Sequence, residues 1–186
     1  MRIKTTIAAV VLCATPAFAQ APQPAPAPGG VISRVLQNNW NAAKRNIVES
    51  ADQMPEANFA FKPADGVRTF GQILAHVAGT NYVYCSAAKG EKSPSGEDDF
   101  EKSATTKAAI VKALSDSVAY CDAVFASLTD ASAAEMVKSP FGSGQVARVN
   151  PLIGNITHNV EHYGNLVTYF RIKGMVPPST KRSGGA

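Results

Sequence analysis

The segment NPLIGNITHNVEHYGNLVTYFRIKG, residues 150–174, carries the start and stop signals of one long helix. Asn150 is a favoured N-cap residue, and Pro151 is pre-organised for the first helical position. Gly174 suits the position just past the helix end, where a left-handed backbone closes the last turn. The segment therefore predicts a long helix with well-defined ends.

Three further segments repeat apolar residues at steps of three and four, which is the spacing of an amphipathic helix. The first covers residues 32–54 and stops before Pro55. The second opens at Thr69, which together with Gln72 has the pattern of a capping box. The third covers residues 109–128.

Four helices with one apolar face each predict an all-α fold, a four-helix bundle over residues 31–178. Residues 90–99 and 129–149 are predicted to be long loops, and no segment shows a useful length of strand-like alternation. The last residues, 179–186, are predicted to be a flexible tail.

Residues 1–19 have the parts of an export signal. Arg2 and Lys4 form a short basic region, an apolar stretch follows, and small residues lead to a cleavage site after Ala19. Residues 20–30 are rich in Pro and Ala and predict a linker that cannot pack. We therefore expect an exported protein, periplasmic or secreted. No stable insertion in a membrane is expected, because no segment is long and apolar enough to span one.

The charge of the predicted mature chain is small. The whole chain has 18 Lys and Arg against 14 Asp and Glu, and loss of Arg2 and Lys4 leaves 16 basic residues and a net charge of +2. A net charge of this size is too small to drive strong binding to phosphates. We therefore expect no nucleic-acid partner.

Cys85 and Cys121 are the two cysteines of the predicted mature chain. In an oxidising compartment they can form a disulfide, and two buried thiols are the alternative. A bond between them would require the second and third helices to run parallel, because otherwise the two residues lie at different heights in the bundle. The disulfide would then favour an up-down-down-up arrangement.

The chain has three histidines, and all of them fall on predicted helices. His158 and His162 lie four residues apart, so one helix face presents both imidazoles to a single divalent metal. His76 on the second helix would complete a three-nitrogen site that leaves a coordination position open. Imidazole suits Zn²⁺ or Ni²⁺, with Fe²⁺ and Cu²⁺ as further candidates. The structural alternative is a polar network without a metal.

The residues from His158 to His162 also have the H-x-x-E-H pattern of inverted zinc metalloproteases. No Asp or Glu follows His162, so the downstream ligand of that class is missing. Glu161 is then an outer partner of the site, a general base or a solvated charge. Tyr169 is a candidate to orient a substrate, and Asn155 is a candidate to hydrogen-bond a ligand or a bound water.

Two stretches, VRTFGQILAHVA at residues 67–78 and HNVEHYGNLVTYFR at residues 158–171, resemble the DinB/YfiT-like metalloenzyme family. The resemblance covers residues 31–178 and implies an up-down-down-up four-helix bundle. It also implies that the three histidines named above bind the metal. Characterised members of that family are mostly metal-dependent transferases or isomerases that use low-molecular-weight thiols, and homodimers are common among them.

The export signal departs from that family pattern, because the thiol cofactors are cytosolic. We therefore expect an exported, hydrolase-like metalloenzyme in which metal-bound water attacks an unidentified small substrate. A non-catalytic metal-binding or stress-response bundle, a thiol-dependent S-transferase and a metal-free helical scaffold are the alternatives. A catalytic site needs an open coordination position at a cleft, whereas a structural site is closed by a fourth protein ligand.

Overall fold

The computed structural model describes residues 30–96 and 98–185 of the chain. The predicted signal peptide and all but the last residue of the predicted linker lie outside this part. The described residues form a mostly helical domain with one short hairpin and a single 3₁₀ turn at Glu56–Asn58. In chain order the elements are α1 (Val31–Gln53), α2 (Phe70–Lys89), α3 (Phe100–Ser103), α4 (Lys107–Ser127), α5 (Asp130–Ala133), β1 (Met136–Lys138), β2 (Gln145–Ala147), α6 (Val149–Ile172) and α7 (Pro178–Arg182).

Helices α2 and α4 pack side by side in the same direction. The Asn81 side-chain amide donates to the Ser117 hydroxyl at 3.2 Å. Four residues further along each helix, Cys85 and Cys121 form a disulfide with their Cα atoms 5.5 Å apart. Because both contacts advance together, the two helices are parallel, and the disulfide that the sequence left open is present.

Helix α1 runs antiparallel to α4. In the first half of α1, the Trp40 indole donates to Asp122, which lies toward the end of α4, at 2.6 Å. At the other end, Lys107 at the start of α4 donates to the carbonyl of Met54, which follows α1, at 2.8 Å.

Helix α6 runs antiparallel to α2. Phe70 at the start of α2 contacts Phe170 near the end of α6, with ring centroids 5.8 Å apart. Further along α2, Asn81 accepts from the Asn159 side chain at 2.9 Å. The four long helices therefore have the predicted up-down-down-up order.

Two apolar clusters fill the bundle, with polar residues between them. One cluster includes Phe70, Leu74 and Phe170, and the other includes Trp40 stacked on Phe125 at 5.0 Å. The polar layer consists of fully buried side chains that hydrogen-bond to one another next to the disulfide, namely Asn81, Ser117, Asn155 and Asn159.

The segment 129–149 is more ordered than a loop, which corrects the prediction. It contains α5 and the antiparallel pair β1–β2, in which Val137 pairs with Val146. Each strand has three residues, too few for an alternating pattern to stand out in the sequence. The guanidinium of Arg148 secures the hairpin, because it bonds to the carbonyl of Ala88 at 2.8 Å and to the Glu135 carboxylate at 2.6 Å.

The predicted tail also has structure, since residues 178–182 form α7. The backbone N–H of Ser179 donates to the Tyr163 hydroxyl at 2.8 Å, and that hydroxyl donates to Ser179 Oγ at 2.7 Å. Arg182 forms an ion pair with Glu49 of α1. These contacts join residues far apart in the chain, so no local sequence pattern could predict them.

The helix ends follow the sequence signals closely. Thr69 and Gln72 form the predicted capping box, with the Gln72 N–H donating to Thr69 Oγ1 at 3.2 Å. Helix α6 starts at Val149 with Arg148 as its N-cap, two residues before the predicted cap Asn150, which lies inside the first turn. Gly174 follows the end of the helix with φ of +68°. Within the described residues, no helix is long and apolar enough to cross a membrane.

Candidate metal centre

The three histidine rings meet between α2 and α6. Nε2 of His158 lies 3.2 Å from Nε2 of His76 and 3.1 Å from Nε2 of His162. One ligand atom from each ring can be chosen so that all three lie within 4.8 Å of one another. The structure therefore brings together the three residues that the sequence proposed as ligands. His162 is buried, and the other two are partly buried.

This arrangement suits a divalent ion better than a set of hydrogen bonds. Metal–nitrogen bonds of about 2.0–2.1 Å place neighbouring ligand nitrogens about 3.0–3.4 Å apart. Without an ion, Nε2 of His158 offers either one proton or one lone pair in the ring plane, so it cannot form a good hydrogen bond with both neighbours. The nitrogen donors thus match the ligands that a Zn²⁺ or Ni²⁺ ion prefers.

Glu101 of α3 orients the His76 ring. Its Oε1 lies 2.9 Å from His76 Nδ1, and because an ionised carboxylate only accepts, Nδ1 carries the proton and Nε2 presents its lone pair to the centre. Arg68 binds the same carboxylate through Nε at 2.9 Å and Nη2 at 3.1 Å. Partial burial alone would raise the pKa of Glu101, but its contacts with Arg68 and His76 bring that pKa below its usual value.

The other two rings also have outer partners. Thr80 Oγ1 donates to the carbonyl of His76 at 2.9 Å and lies 3.2 Å from His158 Nδ1, so it can accept the Nδ1 proton. The Asn165 amide lies 3.4 Å from His162 Nδ1. Since the two ends of an amide are interchangeable in such a contact, its oxygen can accept from this ring. Each outer contact favours the tautomer that leaves Nε2 available.

The protein environment favours the neutral form of both histidines of α6. Burial, followed by the nearby His162 and His76 rings, lowers the pKa of His158 to about 4. Burial and the His76 ring also lower the pKa of His162. Neutral imidazole is the form that binds a metal, so the protein environment favours ligation.

A cavity of about 420 Å³ lies beside one of the three histidines, His162. His162 lines it, so the cavity offers a small molecule a route to the cluster. Its wall combines apolar and polar groups, among them Val67, Ile73, Arg68 and Thr168. The residues of the cluster provide three ligand atoms, and no fourth ligand from a described Cys, Asp or Glu joins them. The described residues thus supply three ligand atoms close to a cavity that His162 lines.

Tyr169 lies in the wall of this cavity, and its hydroxyl is already used. The hydroxyl donates to the backbone carbonyl of Arg68 at 2.5 Å, and only 5% of the residue is exposed. Glu161 is exposed on α6, and none of the described hydrogen bonds or ion pairs connects it to a histidine. Among the interpretations offered above, a solvated charge describes Glu161 best.

The structure corrects the interpretation of Asn155. Its side chain is fully buried, and its Nδ2 lies 3.4 Å from the sulfur of Cys85 and 3.5 Å from that of Cys121. Its Oδ1 accepts from Asn159 at 3.0 Å. Asn155 therefore belongs to the polar layer around the disulfide and is not available to a ligand of the histidines.

Aromatic side chains also lie near the histidine cluster. The Tyr84 ring lies 5.8 Å from the His158 ring, and Phe141 of the hairpin turn lies 5.4 Å from Tyr84. Gly154 of α6 makes room for Tyr84, because a Cβ at this position would lie 2.7 Å from the tyrosine ring. Phe141 itself is 62% exposed.

Glu101, Arg68 and Thr80 are the site residues that sequence reasoning missed. The sequence could have indicated Thr80, because it lies one helical turn after His76 on the same predicted helix. Glu101 had no such signal, since it follows a predicted loop and reaches His76 only through the tertiary packing of α3 on α2.

The chain belongs to the DinB superfamily, whose family model matches residues 39–166. The match includes all three histidines and most of the four long helices. No curated protein matches the sequence.

Solved structures share the fold at low sequence identity. A DinB-like protein from Bacillus cereus aligns with a TM-score of 0.62 at 15% identity, over 78% of this chain and 95% of that one. A conserved protein from Enterococcus faecalis aligns with a TM-score of 0.59 at 17% identity, over 74% of this chain and 94% of that one. A mycothiol-dependent maleylpyruvate isomerase aligns with a TM-score of 0.59 at 16% identity, over 72% of this chain and 60% of that one.

Proposed function

We propose that this protein is an exported metal-dependent enzyme with a hydrolase-like reaction at the three-histidine site. The convergence of the three Nε2 atoms beside an open cavity carries the proposal. His76, His158 and His162 would hold one divalent ion, with Zn²⁺ or Ni²⁺ as the first candidates and Fe²⁺ as the next. Such an ion supplies Lewis acidity and lowers the pKa of a bound water.

The protein's own groups prepare this site for its ligand. Glu101 keeps the proton on the outer nitrogen of His76, and Arg68 holds Glu101 in place. Burial keeps His158 neutral, so no proton has to leave the ring before it binds a metal at pH 7. Three ligands from two rigid helices would leave an ion with open coordination positions, and a site of this kind favours catalysis over a purely structural role.

Export is part of the proposal. The leader-like residues 1–19 motivate it, and the buried Cys85–Cys121 disulfide supports it, because structural disulfides persist mainly in oxidising compartments. An oxidising location also argues against a cytosolic thiol cofactor. The thiol-dependent chemistry named for the maleylpyruvate isomerase is therefore the second candidate.

Metal analysis and calorimetry on the purified protein test the first step. We expect one Zn²⁺ or Ni²⁺ per chain, a lower melting temperature after chelation, and loss of binding in His158→Ala. Thr157→Ala, which changes the adjacent exposed residue of α6, is the matched control and should bind as the wild type does. Absence of metal binding together with unchanged melting after chelation would contradict the proposal.

Substrate screening tests the second step. The metal-loaded protein should hydrolyse members of a panel of small esters and amides, and His158→Ala should not. Turnover confined to thiol conjugates would favour the S-transferase instead. Metal binding without any turnover would favour the non-catalytic metal-binding bundle.

A further inference from the structure

Among the described residues that line the cavity beside His162, Arg68 is the one whose side chain carries a permanent charge. We infer that the substrate is a small carboxylate, whose anionic group binds Arg68 and whose apolar part lies against Ile73 and Tyr169. The inference deepens the proposed function and rests on it for the reaction, but the binding of the carboxylate to Arg68 can be measured separately.

The guanidinium of Arg68 retains a donor for a ligand. Its Nε and Nη2 bind Glu101, while its third nitrogen, Nη1, has no hydrogen-bond acceptor within the described chain. The side chain is 44% exposed. Arginine presents its N–H groups in a planar fork that matches a carboxylate, so Nη1 can receive an anion from the cavity.

Glu101 offsets part of the charge of Arg68, but it is not among the residues that line this cavity. It lines a separate cavity of about 360 Å³ that also contains Thr69 and Lys107. The cavity beside His162 therefore meets the positive member of the pair and not the negative one. An anion is the complementary ligand for that wall.

Arg68 is held in position from two directions. Glu101 fixes the guanidinium, and the Tyr169 hydroxyl donates to the Arg68 backbone carbonyl at 2.5 Å. A side chain that is already ordered loses little conformational entropy when it binds a ligand. The two contacts that hold Arg68 therefore favour its affinity for a carboxylate. Tyr169 thereby acts as a positioning residue for the cavity wall.

The rest of the cavity defines the body of the substrate. Pro63, Val67, Ile73 and the Tyr169 ring form apolar surface, and Asn165 and Thr168 of α6 add polar groups near His162. A volume of about 420 Å³ is in the usual range for small-molecule sites. These walls suit a compact apolar group that carries one carboxylate.

Titrations followed by NMR chemical shifts test the inference with two probes of the same shape, cyclohexanecarboxylate and cyclohexanecarboxamide. Each is added to the metal-free and to the zinc-loaded protein. We expect the carboxylate to bind about fivefold more tightly than the neutral amide in both forms. In the metal-free protein, where no cation competes with Arg68 for the carboxylate, Arg68→Gln should remove this preference and Arg68→Lys should retain part of it. Arg45→Gln, on the exposed face of α1, is the control and should keep it.

Glu101→Gln separates a direct role of Arg68 from an effect through its partner, and this variant should still prefer the carboxylate. Equal binding of the two probes to the wild type would overturn the inference, and so would a preference that survives in the metal-free form of Arg68→Gln. A protein that binds no zinc but keeps the Arg68-dependent preference would contradict the proposed function and leave this inference standing. Zinc binding without any carboxylate preference would contradict this inference and leave the proposed metal site standing.

Discussion

The three histidines differ in what holds each ring at its outer nitrogen. His76 has a charged partner, Glu101, whereas His158 has the Thr80 hydroxyl and His162 has the Asn165 amide. A carboxylate both fixes the tautomer and makes the ligand nitrogen more basic. We therefore expect Glu101 to be the outer residue on which metal affinity depends most.

Replacing Glu101 with Gln should lower zinc affinity about tenfold, at the lower end of the range for outer partners of metal ligands. The amide oxygen can still accept from His76 Nδ1, but the negative charge is lost. Competition with a fluorescent zinc chelator measures the change. Glu161→Gln removes an exposed carboxylate next to His162 and is the matched control. An equal effect of the two substitutions would contradict the role given to Glu101.

The lowered pKa of His158 predicts how the stability of the metal-free protein depends on pH. An unfolded histidine titrates near 6.5 and the folded ring near 4, so between these values the unfolded chain binds a proton that the folded ring does not. The free energy of unfolding should therefore fall as the pH is lowered from about 6.5 to about 4, with no further contribution from this ring below that range. Urea midpoints measured with a chelator present provide the test. His158→Gln cannot titrate and should show a shallower fall, whereas identical slopes would refute the assignment.

At the level of secondary structure, α2 and α6 determine where the ligands meet. The capping box at Thr69 starts α2 less than two turns before His76, so it sets the beginning of the helix that carries this ligand. Gly154 lets Tyr84 lie across α6 close to His158. The site is thus built from the ends and faces of two rigid helices.

Thr69→Ala should lower the free energy of unfolding by about 1 kcal/mol, because the N–H of Gln72 loses its acceptor at the start of α2. Urea unfolding measures this loss. Thr105→Ala is the control, since this exposed threonine precedes the N-cap of α4 and is not itself the cap. The control should stay within about 0.5 kcal/mol of the wild type. A loss of the same size in both variants would show that the cap contributes nothing specific.

For the whole molecule, the disulfide and the polar layer connect the parallel pair α2 and α4 to α6. The bond joins residues 36 positions apart in the chain, and Asn155 of α6 contacts both of its sulfurs. A bond across such a loop mainly reduces the freedom of the unfolded chain. It therefore stabilises the topology that brings the histidines together.

Replacing both Cys85 and Cys121 with Ala should lower the free energy of unfolding by about 3–4 kcal/mol, as the closed-loop length implies. Guanidinium unfolding with and without a reductant measures the effect. The reductant should destabilise the wild type and leave the double variant unchanged. A wild type that is insensitive to the reductant even when unfolding would contradict a stabilising bond.

The sequence predicted the helices well and the surroundings of the site poorly. Capping residues and apolar spacing act within a few residues, so the ends of α2 and α6 were predicted to within two residues. Asn155 was misplaced because a helical wheel shows direction but not height. It shares a direction with His162 but lies seven residues away, or about 10 Å along the axis.

By itself, the sequence determined the four helices, the pair of imidazoles on α6 and the possibility of a third ligand on α2. These features are local, because they follow from spacing along one helix. Only the tertiary structure decided that His76 lies close to His158 and His162 and that the cavity opens beside His162. It also decided that Glu101, held by Arg68, contacts the outer nitrogen of His76. The reason is that these contacts join residues from separate elements, and their distances depend on how the helices pack and in which direction each one runs.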